Sequence, residues 1–173
     1  DGQIRPIIVN VCNFAKGSDG QPALLSMDDV RTLFHEMGHA LHGLLSDVTY
    51  PSLSGTSVEG DFVELPSQLF EHWALEDEIL KTYARHYKTG APMPQSLIDK
   101  VHAAKIFNQG FATVEYLASA LVDLAYHKLE DPSAIDPVEF EGEVLAKLHM
   151  PHAIGMRHRS SHFLHIFSGD GYA

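Results

Sequence analysis

The spacing of apolar residues changes along this chain. Ile7 to Phe14, IIVNVCNF, is rich in β-branched and aromatic side chains, follows Pro6, and runs into the turn-forming cluster KGSDGQP. That pattern predicts one strand of a small β-hairpin near the N-terminus, with PALLS as its partner. Beyond it the period lengthens. Val30, Leu33, Phe34, Met37, Leu41, Leu44 and Leu45 recur every three or four residues, which predicts a helix from about Met27 to Leu45 with a wide apolar face turned inward. Ser26 supplies a hydroxyl at the N-cap, and Asp28 and Asp29 place acids in the first turn, where the helix dipole favours them.

Ser46 to Gly60, SDVTYPSLSGTSVEG, has no helical period and reads as a loop or short edge strand. A second helical pattern runs from Asp61 to about Tyr87, with Pro66 near its first turns, where a missing N–H costs least. KTGAPMP breaks the chain again. Gln95 to Leu129 reads as one or two long helices with Gly110 as the break, and Asp136–Pro137 caps a shorter helix ending near His149. The tail after it is irregular chain or short helix. With no internal repeat and no linker, the pattern predicts a mainly α chain with a small β element, folded as a single domain over 1–173.

Composition narrows the possible partners. The 173 residues are 45% hydrophobic, enough for one real core. A net charge of −11, from 23 acids against 12 bases, repels phosphate backbones, so no nucleic-acid partner is expected. No apolar run approaches the roughly 20 residues that span a bilayer, so no membrane partner is expected either. The lone Cys12 and the lack of a signal-type N-terminus fit a cytoplasmic setting. Asp1 in place of Met suggests a piece of a longer chain. Nothing speaks to oligomeric state.

Histidine is the unusual residue, at twelve copies. RTLFHEMGHALHG concentrates three of them on the first helix. Side chains four apart share a helical face, so His35 and His39 project side by side, and two neutral imidazoles at that spacing can hold one Zn²⁺ at about 2.0–2.1 Å. Glu36 lies one step around the helix. This is the H-E-x-x-H arrangement, in which the glutamate serves as general base. Gly38 within the motif costs about 1 kcal/mol relative to alanine, a cost best explained by another segment approaching the helix backbone. His42 lies farther along the same face and reads as a packing or outer residue.

A catalytic zinc needs a third protein ligand and an open position. Six residues beyond His39, where one zincin class carries a third histidine, stands Leu45, so a carboxylate is expected. Glu59, Asp61, Glu64 and Glu71 are the candidates, and spacing alone does not choose among them. Glu64 has the advantage of lying near the start of its helix. Glu71 fits either a hydrogen-bond partner of a ligand imidazole or a solvated helix residue.

LFHEMGHALH followed by SGTSVEGDFVELPSQLFEHW resembles the thimet oligopeptidase family of zinc metallopeptidases, most closely its peptidyl-dipeptidase and oligopeptidase A branch, and the similarity extends from VNVCNF to HIFSGDGYA. The resemblance implies a zincin-like helical catalytic core that hydrolyses peptide bonds in short peptide substrates. It implies His35, His39 and Glu64 as zinc ligands and Glu36 as the base. Family members also donate hydrogen bonds to the tetrahedral intermediate from a histidine and several tyrosines, and His165 and Tyr172 match the first of these. The rest of the tyrosine cluster and the upstream helical channel walls lie outside this sequence. The alternative expectation is therefore a folded zinc-binding fragment without activity of its own. His158 and His162, with Arg157 and Arg159, read as a polar surface strip.

Overall fold

The structure, a computed structural model, describes residues 6–18 and 20–168. It is mainly helical, and its chain forms two compact units, Asp1–Ala104 and Lys105–Ala173, each taken by itself below.

The first unit is built on α1, Met27–Leu44, and α3, Leu65–Ala74, which pack extensively on each other. Ser26 caps α1 reciprocally. Its Oγ accepts from the Asp29 backbone N–H at 3.1 Å, while the Asp29 carboxylate accepts from the Ser26 N–H at 2.9 Å. A Cβ on Gly38 would lie 2.5 Å from the Pro66 carbonyl oxygen and 2.5 Å from the Ser67 Cα. The approaching segment that this glycine implies is thus the first turn of α3. Between the two helices run a loop with a 3₁₀ turn at Pro51–Leu53 and the single-turn α2, Gly60–Val63. α4, Asp77–Tyr83, and all but the last two residues of α5, Gln95–Ile106, complete the unit, burying Leu80 and Ile98.

The second helical pattern is thus three helices, not one. Pro66 in the first turn of α3 contributes no N–H, so the chain restarts there, and Glu76 in the β region ends α3 and begins α4 with Asp77 and Glu78 in its first turn.

The predicted hairpin does not form. No strand occurs among the described residues, and the one isolated antiparallel bridge joins Arg85 and Pro92. Within residues 6–14, Ile8, Cys12 and Phe14 are partly buried, while Ile7, Val9, Asn10 and Val11 are exposed. Ile8 rests its side chain against Gly43 of α1. Strand-like composition therefore docks on a helix here, without a second strand to complete a ladder.

In the second unit, α6, Gln109–His127, packs on α7, Pro137–Lys147. The break before α6 falls at Asn108, whose φ of 54° is left-handed, and Gly110 lies inside the first turn. Asparagine tolerates that conformation through its short polar side chain. The Asp136 side chain accepts from the Val138 and Glu139 N–H groups at 2.8 and 3.0 Å, capping α7 as its sequence indicates. Val122, Tyr126, Met156 and Ile166 form the core, with a 3₁₀ turn at Leu164–Phe167 closing the tail over it. No described helix is long and apolar enough to cross a membrane.

Candidate metal centre

Helical spacing places the His35 and His39 rings edge to edge, with centroids 4.8 Å apart and planes at 82°. Because Gly38 between them lets the α3 backbone approach closely, the residue at the α2–α3 junction, Glu64, reaches back over both rings. Its Oε2 lies 3.2 Å from His35 Nε2 and 3.1 Å from His39 Nε2. Ser67, fully buried on the first turn of α3, donates its hydroxyl to the same oxygen at 2.6 Å and fixes the carboxylate's rotation.

The chemistry of this donor set fits a cation. Glu71, on α3, approaches the opposite nitrogen of His35, with Oε1 2.7 Å from Nδ1. When Nδ1 carries the proton and donates it to Glu71, His35 Nε2 presents a lone pair toward another lone-pair-bearing oxygen, a contact that needs a positive centre between the atoms. Two donors each about 2.05 Å from a tetrahedral ion stand roughly 3.3 Å apart. The observed 3.2 and 3.1 Å match that separation. Among the described residues, the ligand atoms of His35, His39 and Glu64 all lie within 4.8 Å of one another, the one such group of metal-capable side chains.

Glu71 is held from two sides, since Arg31 donates from Nη2 to its Oε2 at 2.8 Å. Partial burial works to raise the Glu71 pKa. The hydrogen bonds and charges of His35 and Arg31 outweigh it and hold the carboxyl below its usual range. Of the two readings of Glu71 left open by the sequence, the structure has the hydrogen-bond partner of an imidazole.

Glu36, partly buried, borders two clefts beside the histidines: one also lined by Asp28, Arg31, Thr32 and Glu71, the other by residues 6–10 and 54–56. It therefore stands next to the candidate ligands with open space on either side. His42 packs its ring edge against Phe62, with centroids 6.0 Å apart, in an apolar recess. Glu59 precedes α2 and Asp61 lies in it; both are exposed and outside the group that converges. His165 belongs to the second unit, exposed on the 3₁₀ turn with its ring 4.8 Å from Phe163, and Tyr172 lies outside the described residues. His158 stacks on the same Phe163, with ring centroids 4.3 Å apart.

Sequence reasoning passes over Arg31 and Ser67. Ser67 is legible in principle, three residues after Glu64, where a helix-start hydroxyl folds back onto the preceding turn, whereas Arg31, four residues before His35 on the same face of α1, is singled out only by its partner on α3.

Comparison with known proteins adds to this picture. A model of Peptidase family M3 matches residues 2–173. The dipeptidyl carboxypeptidase of Salmonella typhimurium (strain LT2) is 50% identical over 173 residues, covering 99% of this chain and 25% of that protein. The dipeptidyl carboxypeptidase of Escherichia coli (strain K12) is 49% identical over 172 residues, covering 98% and 25%. Oligopeptidase A of Salmonella typhimurium is 41% identical over 134 residues, covering 76% of this chain and 20% of that protein. The chain spans about a quarter of the length of the two dipeptidyl carboxypeptidases.

Proposed function

We propose, since the chain belongs to Peptidase family M3, that it carries the zinc centre of a metallopeptidase acting on short peptides. The observation that supports this most is the meeting of His35 Nε2, His39 Nε2 and Glu64 Oε2 at 3.2 and 3.1 Å beside a carboxylate, Glu36, that borders open clefts.

His35, His39 and Glu64 hold the ion, and Glu71 keeps the His35 ring in the orientation that aims Nε2 at it. A zinc ion held by these three residues would supply a Lewis acid for a peptide carbonyl and lower the pKa of water from about 15.7 toward about 7. Glu36 takes the proton from the attacking water and delivers it to the leaving amine nitrogen, so one carboxylate acts first as base and then as acid. Ser67 limits the motion of Glu64 by its hydroxyl hydrogen bond to Oε2. His165 and Tyr172 are assigned by resemblance as donors to the oxyanion, each such donor being worth about 10²- to 10³-fold in rate. The names of the two dipeptidyl carboxypeptidases support release of C-terminal dipeptides over internal cleavage.

The second reading, a chain that holds zinc but needs further segments to cleave, is favoured by the quarter-length span. Assaying the isolated chain beside the complete gene product separates the two. The role of Glu36 is tested by Glu36→Gln in the complete gene product. Zinc content should stay at one ion per chain, while hydrolysis of an oligopeptide, followed by mass spectrometry, should fall by at least about 10²-fold, the lower end for losing a general base. Loss of zinc in step with activity would make Glu36 a ligand and overturn these roles.

A further inference from the structure

Arg31 carries one charge-assisted hydrogen bond to the outer oxygen of Glu71, 2.8 Å long, and its other end lies 3.8 Å from the largely exposed Asp28. Arg31 and Glu71 differ in exposure: their side chains are 48% and 23% exposed. An isolated pair of that kind on a protein surface does little. This one is not isolated, because the second oxygen of Glu71 is committed to His35 Nδ1 at 2.7 Å.

The carboxylate therefore has two donors on two different residues of α1, one helical turn apart, and neither of its oxygens can move without breaking a bond to that helix. We infer that Arg31 is a positioning residue for the metal centre: by pinning Glu71 from its outer side, it locks the His35 ring with Nδ1–H toward Glu71 and the Nε2 lone pair toward the ion. The inference rests on the zinc reading above and adds a third layer to it, in which guanidinium holds carboxylate, carboxylate holds imidazole, and imidazole holds metal. Without Arg31, Glu71 keeps a single donor and can rotate about its terminal torsion, and the His35 ring loses the fixed acceptor that selects its tautomer. Zinc should then leave more readily. The guanidinium also draws negative charge away from His35, so its loss changes how strongly that ring donates as well as where it points.

The test is zinc release from the complete gene product into an excess of a chromogenic chelator, comparing wild type, Arg31→Ala and Arg31→Lys. Outer partners of metal-bound histidines matter by about 10- to 100-fold in affinity, so a residue one step farther out should matter by about 3- to 10-fold in release rate. Arg31→Ala should release zinc faster by that factor at low salt, and Arg31→Lys should recover at least half of the loss, since it keeps a donor and a charge. Raising salt from about 0.01 M to about 1 M cuts the screening length from about 30 to about 3 Å, which should shrink the difference, because half of the Arg31 side chain meets solvent. A packing role alone would show neither the lysine rescue nor the salt dependence. Equal release from Arg31→Ala and wild type, or equal release from the lysine and alanine variants, overturns the inference while leaving the zinc centre in place. A wild-type protein that takes up no zinc overturns the zinc reading itself, and the role of Arg31 with it.

Discussion

Glu64 and Glu71 bear the same side chain on adjoining parts of one helical segment, yet they face different atoms. Glu64 Oε2 meets the two Nε2 atoms that point into the site, and Glu71 meets the Nδ1 that points away. Alanine at 71 removes an outer partner, with an expected loss of about 10- to 100-fold in zinc affinity. Alanine at 64 removes a donor atom, and the expected loss in a competitive titration is larger than that. The reverse order would move the third-ligand role to Glu71. The imidazole pair is legible in the sequence because a period of 3.6 residues puts positions 35 and 39 on one face whatever else the chain does. The carboxylate is not, because its choice depends on the angle between two helices, which no local spacing encodes. Resemblance, and not geometry, singles out Glu64. Arg31 escapes notice for a similar reason: a basic residue early on an amphipathic helix is commonplace until its partner on another helix is known.

At the scale of elements, Gly38 connects sequence to site. A Cβ there would meet backbone atoms of Pro66 and Ser67 at 2.5 Å, and backbone cannot rotate aside as a side chain can. Gly38→Ala gains about 1 kcal/mol of helix propensity but overpacks the α1–α3 contact, where such insertions cost about 1–3 kcal/mol and more when backbone must move. The clash should win. The thermal midpoint should fall by a few degrees, and zinc affinity should fall with it, because α3 carries Glu71 and Glu64 stands at its N-cap. A midpoint that rises instead would mean α3 does not sit against this glycine. Helix starts are the readable boundaries, as at Ser26 and Asp136, whose side chains satisfy the first free N–H groups. Interior breaks are less readable. Asn108 takes the role of chain breaker that the sequence pattern assigns to the glycine two residues on, and one apolar pattern from 61 to 87 hides three separate helices. The strand-like N-terminal segment shows the limit of composition: β-branched residues favour extended backbone, while a ladder needs a partner that composition cannot supply.

For the molecule as a whole, both units place a tyrosine hydroxyl in a sheltered hydrogen bond. Tyr83 donates to the Ala74 carbonyl at 2.6 Å, and Tyr126 donates to the Pro137 carbonyl at 2.7 Å, with Ser160 Oγ 3.0 Å away. Burial pushes both phenols above the ordinary tyrosine pKa, and the nearby Glu141 and Asp136 charges push Tyr126 further. A phenol whose folded pKa is raised binds its proton more tightly folded than unfolded. Its contribution to stability is therefore complete below the unfolded value near 10.0 and is lost as pH climbs through the higher folded one. In an alkaline absorbance titration of the six tyrosines, a late-ionising fraction is expected, and Tyr126→Phe should reduce it. Ionisation in one step near the free value, unchanged by the substitution, would contradict the burial of that hydroxyl. The mainly helical class, the family and the position of the imidazole pair are all available from sequence. The division into two units is not, since it depends on contacts between distant parts of the chain.

The central claim is that one ion is shared by two imidazoles from α1 and one carboxylate from the start of α3. An anomalous difference map, recorded on either side of the zinc absorption edge from crystals of the complete gene product grown without affinity metals, tests it most directly. The expected result is a single strong peak about 2.0–2.2 Å from His35 Nε2, His39 Nε2 and a Glu64 oxygen. A map with no peak there, or a peak whose protein neighbours do not include all three side chains, would contradict it.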